Sequence, residues 1–121
     1  MLLNHFLFKC SIHYQTTIGK GTKLGHGGIA VVINGRAVIG ENCVIGSCVT
    51  IGGKSRIYAA PRIGNYVYIA TGAKVLGDIT IGDNVVIGAN SVVVKDVPSN
   101  CIVAGIPAKI IKTGIRFEDY V

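Results

Sequence analysis

Several things are missing from this sequence, and each absence excludes a class of protein. No apolar stretch approaches the roughly 18 residues that a membrane-spanning helix needs. The apolar opening, MLLNHFLFKC, has no basic leading region and no small-residue cleavage site, so it does not read as a signal peptide. A strip that touches a membrane or another subunit is the reading left for residues 1–10, with membrane contact the less expected of the two. Charged residues are scarce at 15%, but hydrophobic residues reach 50%, which excludes a disordered composition. Lys and Arg outnumber Asp and Glu by 12 to 6, giving a net charge of +6. No basic run is interleaved with aromatics, so nucleic acid is not an expected partner. The excess charge suits a small phosphorylated or acidic ligand instead. Cys10, Cys43, Cys48 and Cys101 form no C-x-x-C pair. With no export signal, they read as free thiols in a reducing, cytoplasmic setting. At 121 residues the chain has room for one domain and one core.

What the sequence does contain is a beat of six. Ile33, Ile39, Ile45, Ile51, Ile57, Ile63, Ile69, Val75, Ile81, Ile87 and Val93 fall in a single register. Repetition on this scale has to be interpreted before any other feature. Glycine often follows, as at Gly40, Gly46, Gly52, Gly64, Gly82 and Gly88. Four residues after each aliphatic comes a small or branched side chain, from Ala37 and Cys43 through Ser55 and Pro61 to Ser91 and Val97. A period of six fits neither a 3.6-residue helix nor a long alternating strand. It fits a short strand and a tight turn, repeated, with the β-branched residue inward and glycine at the turn. Stability is then nearest-neighbour, rung upon rung. No helix is needed before about residue 104.

The beat breaks once in plain view. Ile18 and Leu24 are six apart, but Leu24 to Ile33 is nine. Three extra residues must leave the wall, and the excursion, LGHGGIAVVING, carries His26, Gly27 and Gly28. A histidine on such a bulge can act as a general base, because imidazole loses its proton near neutrality. Backbone N–H groups could stabilise the oxyanion. His5 and His13 read as structural. No paired-histidine spacing accompanies His26, so no metal site is expected.

The segments IGENCVIGSCVTIGGK and IGDNVVIGANSVVVKDVPSNCIVAGIPAKII resemble the hexapeptide-repeat acyltransferases. More narrowly, the chain resembles the serine acetyltransferase branch and its relatives in polysaccharide gene clusters. The resemblance covers roughly residues 10–112. It implies an all-β fold, a left-handed parallel β-helix with three hexapeptides per triangular coil. The expected layout is a single domain with an N-terminal strip at 1–10, the β-helix over 11–103, and a short C-terminal helix or tail over 104–121. It further implies a homotrimer with ligands between neighbouring solenoids, and acetyl-CoA as co-substrate. LGHGGIAVVI resembles the family segment that carries the catalytic histidine, which assigns that role to His26. The pantetheine of coenzyme A would run along Gly52–Gly53, Thr71 and Ala89, with a phosphate near the C-terminal lysines, Lys109 and Lys112 among them.

The departures from the family pattern bear on the acceptor. Ser11 stands where the family has an Asp that orients the catalytic histidine. A hydroxyl can hold a tautomer, weakly, but cannot stabilise an imidazolium as a carboxylate does. Gly25 replaces the acidic residue before the catalytic histidine. The stretch GGKSRIYAAPRIG has Arg56, Tyr58 and Arg62 but not the family's second histidine, and the family's N-terminal helical domain has no counterpart here. These losses turn the expected acceptor from serine toward a hydroxyl of a sugar or surface-polysaccharide precursor. Serine O-acetylation is the alternative, and a catalytically degenerate trimeric scaffold is a reading of another class.

Overall fold

A computed structural model describes residues 11–121 of the protein. His5, Cys10 and the strip at 1–10 lie outside the described residues. From Ser11 the chain winds round a triangle, one short strand to each side. The first coil is β1 (Ser11–Ile12), β2 (Thr17–Ile18) and β3 (Lys23–Leu24). The second is β4 (Val32–Ile33), β5 (Val38–Ile39) and β6 (Val44–Ile45). The third is β7 (Thr50–Gly52), β8 (Arg62–Ile63) and β9 (Val67–Ile69). The fourth is β10 (Lys74–Leu76), β11 (Thr80–Ile81) and β12 (Val85–Ile87). A fifth coil begins with β13 (Val92–Val93), meets the second side through a single bridge between Val97 and Ile81, and closes with β14 (Cys101–Gly105). The strands stack in parallel into three sheets, one per side of the triangle.

The sequence imposes this shape locally. Each side carries β-branched residues that suit a strand, and each corner must turn within a few residues. At the corner between the second and third sides, Asn42, Asn84 and Asn100 take left-handed backbone angles, with φ of 56°, 57° and 63°. Asparagine reaches this region at little cost. Gly40 at the same corner has a different reason. A methyl group there would sit 2.4 Å from the Gly64 carbonyl oxygen of the coil above.

Strand pairing shows what the six-residue beat conceals. Ile63 pairs with Ile81 and Val75 with Val93, so a regular coil is 18 residues long. Ile12 pairs with Ile33 and Leu24 with Ile45, a separation of 21, so three residues are inserted between β3 and β4. Ile39 pairs with Ile63 and Ile51 with Val75, a separation of 24. A second insertion, of six residues, therefore lies between β7 and β8. Because its length equals the period, it leaves the count undisturbed.

Ten of the eleven aliphatics in register are no more than 3% exposed. Ile57, expected to point inward, is 41% exposed because it sits in the six-residue insertion. Ser55, in the same insertion, is exposed as well, whereas the other small positions four residues on are buried.

The C-terminal region ends in a short 3-10 helix over Phe117–Asp119, as expected, but a strand that was not expected precedes it. After β14 the chain reverses into β15 (Ala108–Thr113), which pairs antiparallel with β14. An open strand edge invites another chain, and β15 covers this one while carrying Lys109 and Lys112 on the new edge. Residues 115–121 then run back down the corner between the second and third sides. Ile115 N–H donates to the Asn100 carbonyl, and the Asn84 amide donates to the Ile115 carbonyl at 2.8 Å. The Asn84 side-chain oxygen accepts the Phe117 N–H at 2.6 Å. Phe117 is buried and meets Tyr66 edge-to-face at 5.7 Å. Val121 ends beside Gly21 and Lys23 of the first coil. The segment is a strap that ties the top coil to the bottom one.

Two stability measurements check this account. Ile51→Ala is expected to cost about 2–5 kcal/mol, as a large-to-small change in a closed core does, while Ile57→Ala stays within about 0.5 kcal/mol. Equal losses in denaturant titration would mean that the insertion is misplaced. Asn84→Gly keeps the left-handed turn and removes the amide that holds the strap. It is expected to cost about 1–3 kcal/mol and to expose residues 115–121 to proteolysis; a variant as stable and as resistant as the parent would show the strap held by other contacts.

Candidate functional site

The three-residue insertion forms a tight 3-10 turn over Gly25–Gly28 at the corner between the third and first sides. His26 and Gly27 take left-handed angles, with φ of 49° and 69°. Left-handed angles recur at the corners of this fold, as at Cys48 and Asn90 on the turns above, and histidine reaches them more readily than most residues. Here the Cys48 N–H donates to the Ile29 carbonyl at 2.9 Å, and the Val31 N–H to the Gly28 carbonyl. The His26 side chain is exposed, and an added methyl at Gly27 would meet no atom within 4 Å. Gly27 therefore serves the backbone angle and leaves open space beside the imidazole. Among the described residues, the imidazole makes no hydrogen bond to another side chain.

Ser11 enters at the foot of the first sheet. Its N–H donates to the Val31 carbonyl at 2.7 Å and it pairs with Val32. This ties it to the exit of the His26 turn, so the structure brings the two segments together, although no hydrogen bond joins their side chains among the described residues.

The turns of successive coils stack above His26 at the same corner. The Thr71 hydroxyl donates to the Ser47 carbonyl at 2.8 Å, and the Asn90 N–H donates to the Thr71 carbonyl. Ala89 is exposed on the turn above Thr71 and stands three rungs above His26, about 14 Å at roughly 4.8 Å per rung. Lys109 pairs with Ala104, whose methyl borders Gly88, so it tops this column. Lys112 pairs with Ile102, further along the third side. Lys74 escaped the sequence reading. Its ammonium donates to the Gly72 carbonyl at 2.7 Å and sets a positive charge beside the Thr71 turn. Only the stacking of coils shows that relation.

Gly52–Gly53 lie elsewhere. They close β7 at the opposite edge of the first sheet, where the six-residue insertion begins. The structure does not bring them to the Thr71–Ala89 corner of the same protomer; a full side of the triangle separates them. The insertion itself is braced from below. The Arg36 guanidinium lies 4.2 Å over the Tyr58 ring, and its Nε donates to the Tyr58 carbonyl. Arg62 is paired with Asp78 at 2.9 Å and donates to the Thr80 hydroxyl.

The two buried cysteines among the described residues are not poised as nucleophiles. Cys43, Cys48 and Cys101 are free, and burial pushes the Cys43 and Cys101 thiols up from their ordinary value, away from the reactive thiolate. No group of three His, Cys, Asp or Glu side chains among the described residues could hold a metal. No helix among them is long and apolar enough to cross a membrane.

Comparison with known proteins shows what this geometry resembles. Residues 60–95 match the bacterial transferase hexapeptide family (six repeats). The chain is 43% identical over 119 residues to a serine acetyltransferase of Synechococcus elongatus, covering 96% of this chain and 48% of that protein. It is 47% identical over 117 residues to one of Staphylococcus aureus, covering 94% and 54%. A serine acetyltransferase of Brucella abortus, solved in complex with coenzyme A, superimposes with a TM-score of 0.88 at 37% identity, over 93% of this chain and 45% of that one. The chain thus spans about half the length of the curated relatives it matches. The described residues form a left-handed β-helix of hexapeptide repeats, similar in sequence and fold to about half of a serine acetyltransferase.

Proposed function

We propose that this chain is an acetyl-CoA-dependent O-acetyltransferase with His26 as its general base and the hydroxyl of serine as its acceptor. The observation that carries this reading is the column at one corner. An exposed histidine on an inserted turn stands at its foot, small residues and Thr71 line it, and Lys109 stands at its top. Such a column suits an extended thioester carrier whose reactive end is at His26 and whose phosphates are at the lysines. The imidazole takes the proton of the acceptor hydroxyl as that oxygen attacks the thioester carbonyl. The carbon–sulfur bond then breaks, and the imidazolium returns the proton to the departing thiolate. Acetyl ester and free coenzyme A are the products.

The relatives support serine better than the expected sugar or polysaccharide hydroxyl, since they are named serine acetyltransferases. The departures at Ser11 and Gly25 then bear on rate rather than on acceptor class. Gly52–Gly53 and the Thr71–Ala89 corner lie a full side apart in one protomer, and a neighbouring copy would bring a second Gly52–Gly53 edge to that corner. This supports a homotrimer with the site in each cleft. The free thiols fit a cytoplasmic setting.

His26→Ala is expected to lower the rate of thiol release from acetyl-CoA, with serine as acceptor, by about 10²–10⁴. Folding and coenzyme A binding should be retained, because the turn lies outside the core. Full activity in the variant would remove His26 from the mechanism. A parent protein inactive with serine and with a panel of sugar hydroxyls would favour the scaffold.

Light scattering is expected to report a trimer. Coenzyme A at about a hundredfold excess over its Kd should stabilise it by roughly 2.7 kcal/mol. A monomer at micromolar concentration, or no shift in melting temperature, would count against the shared cleft.

A further inference from the structure

A groove on the outer face of the first sheet is lined by Ser11, His13, Val32, Asn34, Gly35 and Gly52. It adjoins two of the residues assigned above, Ser11 and Gly52. His13 and Asn34, neither of them assigned a role in the reaction, occupy equivalent places on successive coils, each following one of the paired residues Ile12 and Ile33. Gly52 follows Ile51 on the next coil, where the side chain disappears.

His13 and Asn34 are held by the same device. The Gln15 N–H donates to His13 Nδ1 at 3.1 Å, and the Arg36 N–H donates to Asn34 Oδ1 at 2.8 Å. In each case the acceptor atom is used by the backbone two residues on. A neutral imidazole whose Nδ1 accepts must carry its proton on Nε2, and an amide whose oxygen accepts presents its NH₂. The His13 ring is also seated. It stacks on Tyr14 at 4.7 Å, and a methyl at Gly35 would come within 2.6 Å of Nδ1, so this seat requires glycine. The Asn34 Nδ2 lies 3.8 Å from the place that a methyl on Gly53 would take. Both side chains are partly buried, and no acidic side chain lines the groove.

We infer that this groove is a donor-lined subsite for ligand carbonyl or carboxylate oxygens, with His13 Nε2–H and the Asn34 NH₂ as its fixed donors and Gly52–Gly53 as its open wall. The inference rests on the acetyltransferase reading and deepens it. Two oxygen sources share this chemistry: the amide carbonyls of coenzyme A and the carboxylate of the serine acceptor. Fixing both donors in advance leaves less to order on binding.

The test is Asn34→Asp. Aspartate keeps the acceptor for the Arg36 N–H and replaces the donor with a charged oxygen that repels a ligand oxygen. Coenzyme A binding is measured by calorimetry on the full chain, and the KM for serine by thiol release. A tenfold or greater rise in the Kd of coenzyme A assigns the donors to its amides. A rise of that size in the serine KM, with coenzyme A binding unchanged, assigns them to the acceptor carboxylate. His13→Phe keeps the ring on Tyr14 and over Gly35 but loses the donor, and should shift the same constant by about 2–10-fold. It gives the reading if Asn34→Asp fails to fold. Unchanged constants for both ligands in a folded variant overturn the subsite and leave the acetyltransferase reading standing. An unmodified protein that binds neither ligand overturns both.

Discussion

Rung-on-rung pairing is the constraint on which the rest of this molecule depends. From β1 to β13 each strand is two or three residues long and could not persist alone. It is held by the parallel strands above and below and by the aliphatic that it sends into the shared core. Ile33, Ile51, Val75 and Val93 form one such inner column, and Ile45, Ile69 and Ile87 belong to another. Stability is therefore distributed along the axis, and the ends need separate protection. β15 supplies it at the top, and the strap over residues 115–121 spans the coils on one corner.

Because the wall tolerates almost no variation, whatever is not wall stands out. The chain departs from the 18-residue coil by two large insertions, and both border the first sheet. One carries His26; the other begins at Gly53 and is braced by Arg36. Between them lie Ser11, His13 and Asn34 on the outer face of the sheet or at its edge. The core thus acts as a ruler that sets the spacing of these groups, and the insertions supply side chains that a strict repeat would keep on the wall. Loops on a rigid scaffold commonly carry function for this reason.

The three-residue insertion was legible in the sequence and the six-residue one was not. An insertion of three shifts the beat by half a period, so Leu24 and Ile33 fall out of step. An insertion of six restores the beat, so Ile57 and Ser55 keep their register while leaving the wall. Periodicity reports phase and is blind to whole cycles. The C-terminal hairpin was hidden for another reason: β15 answers the exposed edge of β14, and an edge exists only once the coils are stacked.

By itself the sequence determined the solenoid, ten of its eleven inward aliphatics and the break at His26, because each is a matter of residue type at short range. The tertiary structure alone decided which corners those residues occupy. It set Lys109 above the His26 column, and it placed Gly52–Gly53 a full side away, beside His13 and Asn34. Residues far apart in the chain become neighbours only through the coil-to-coil register, and that register depends on the length of every insertion between them.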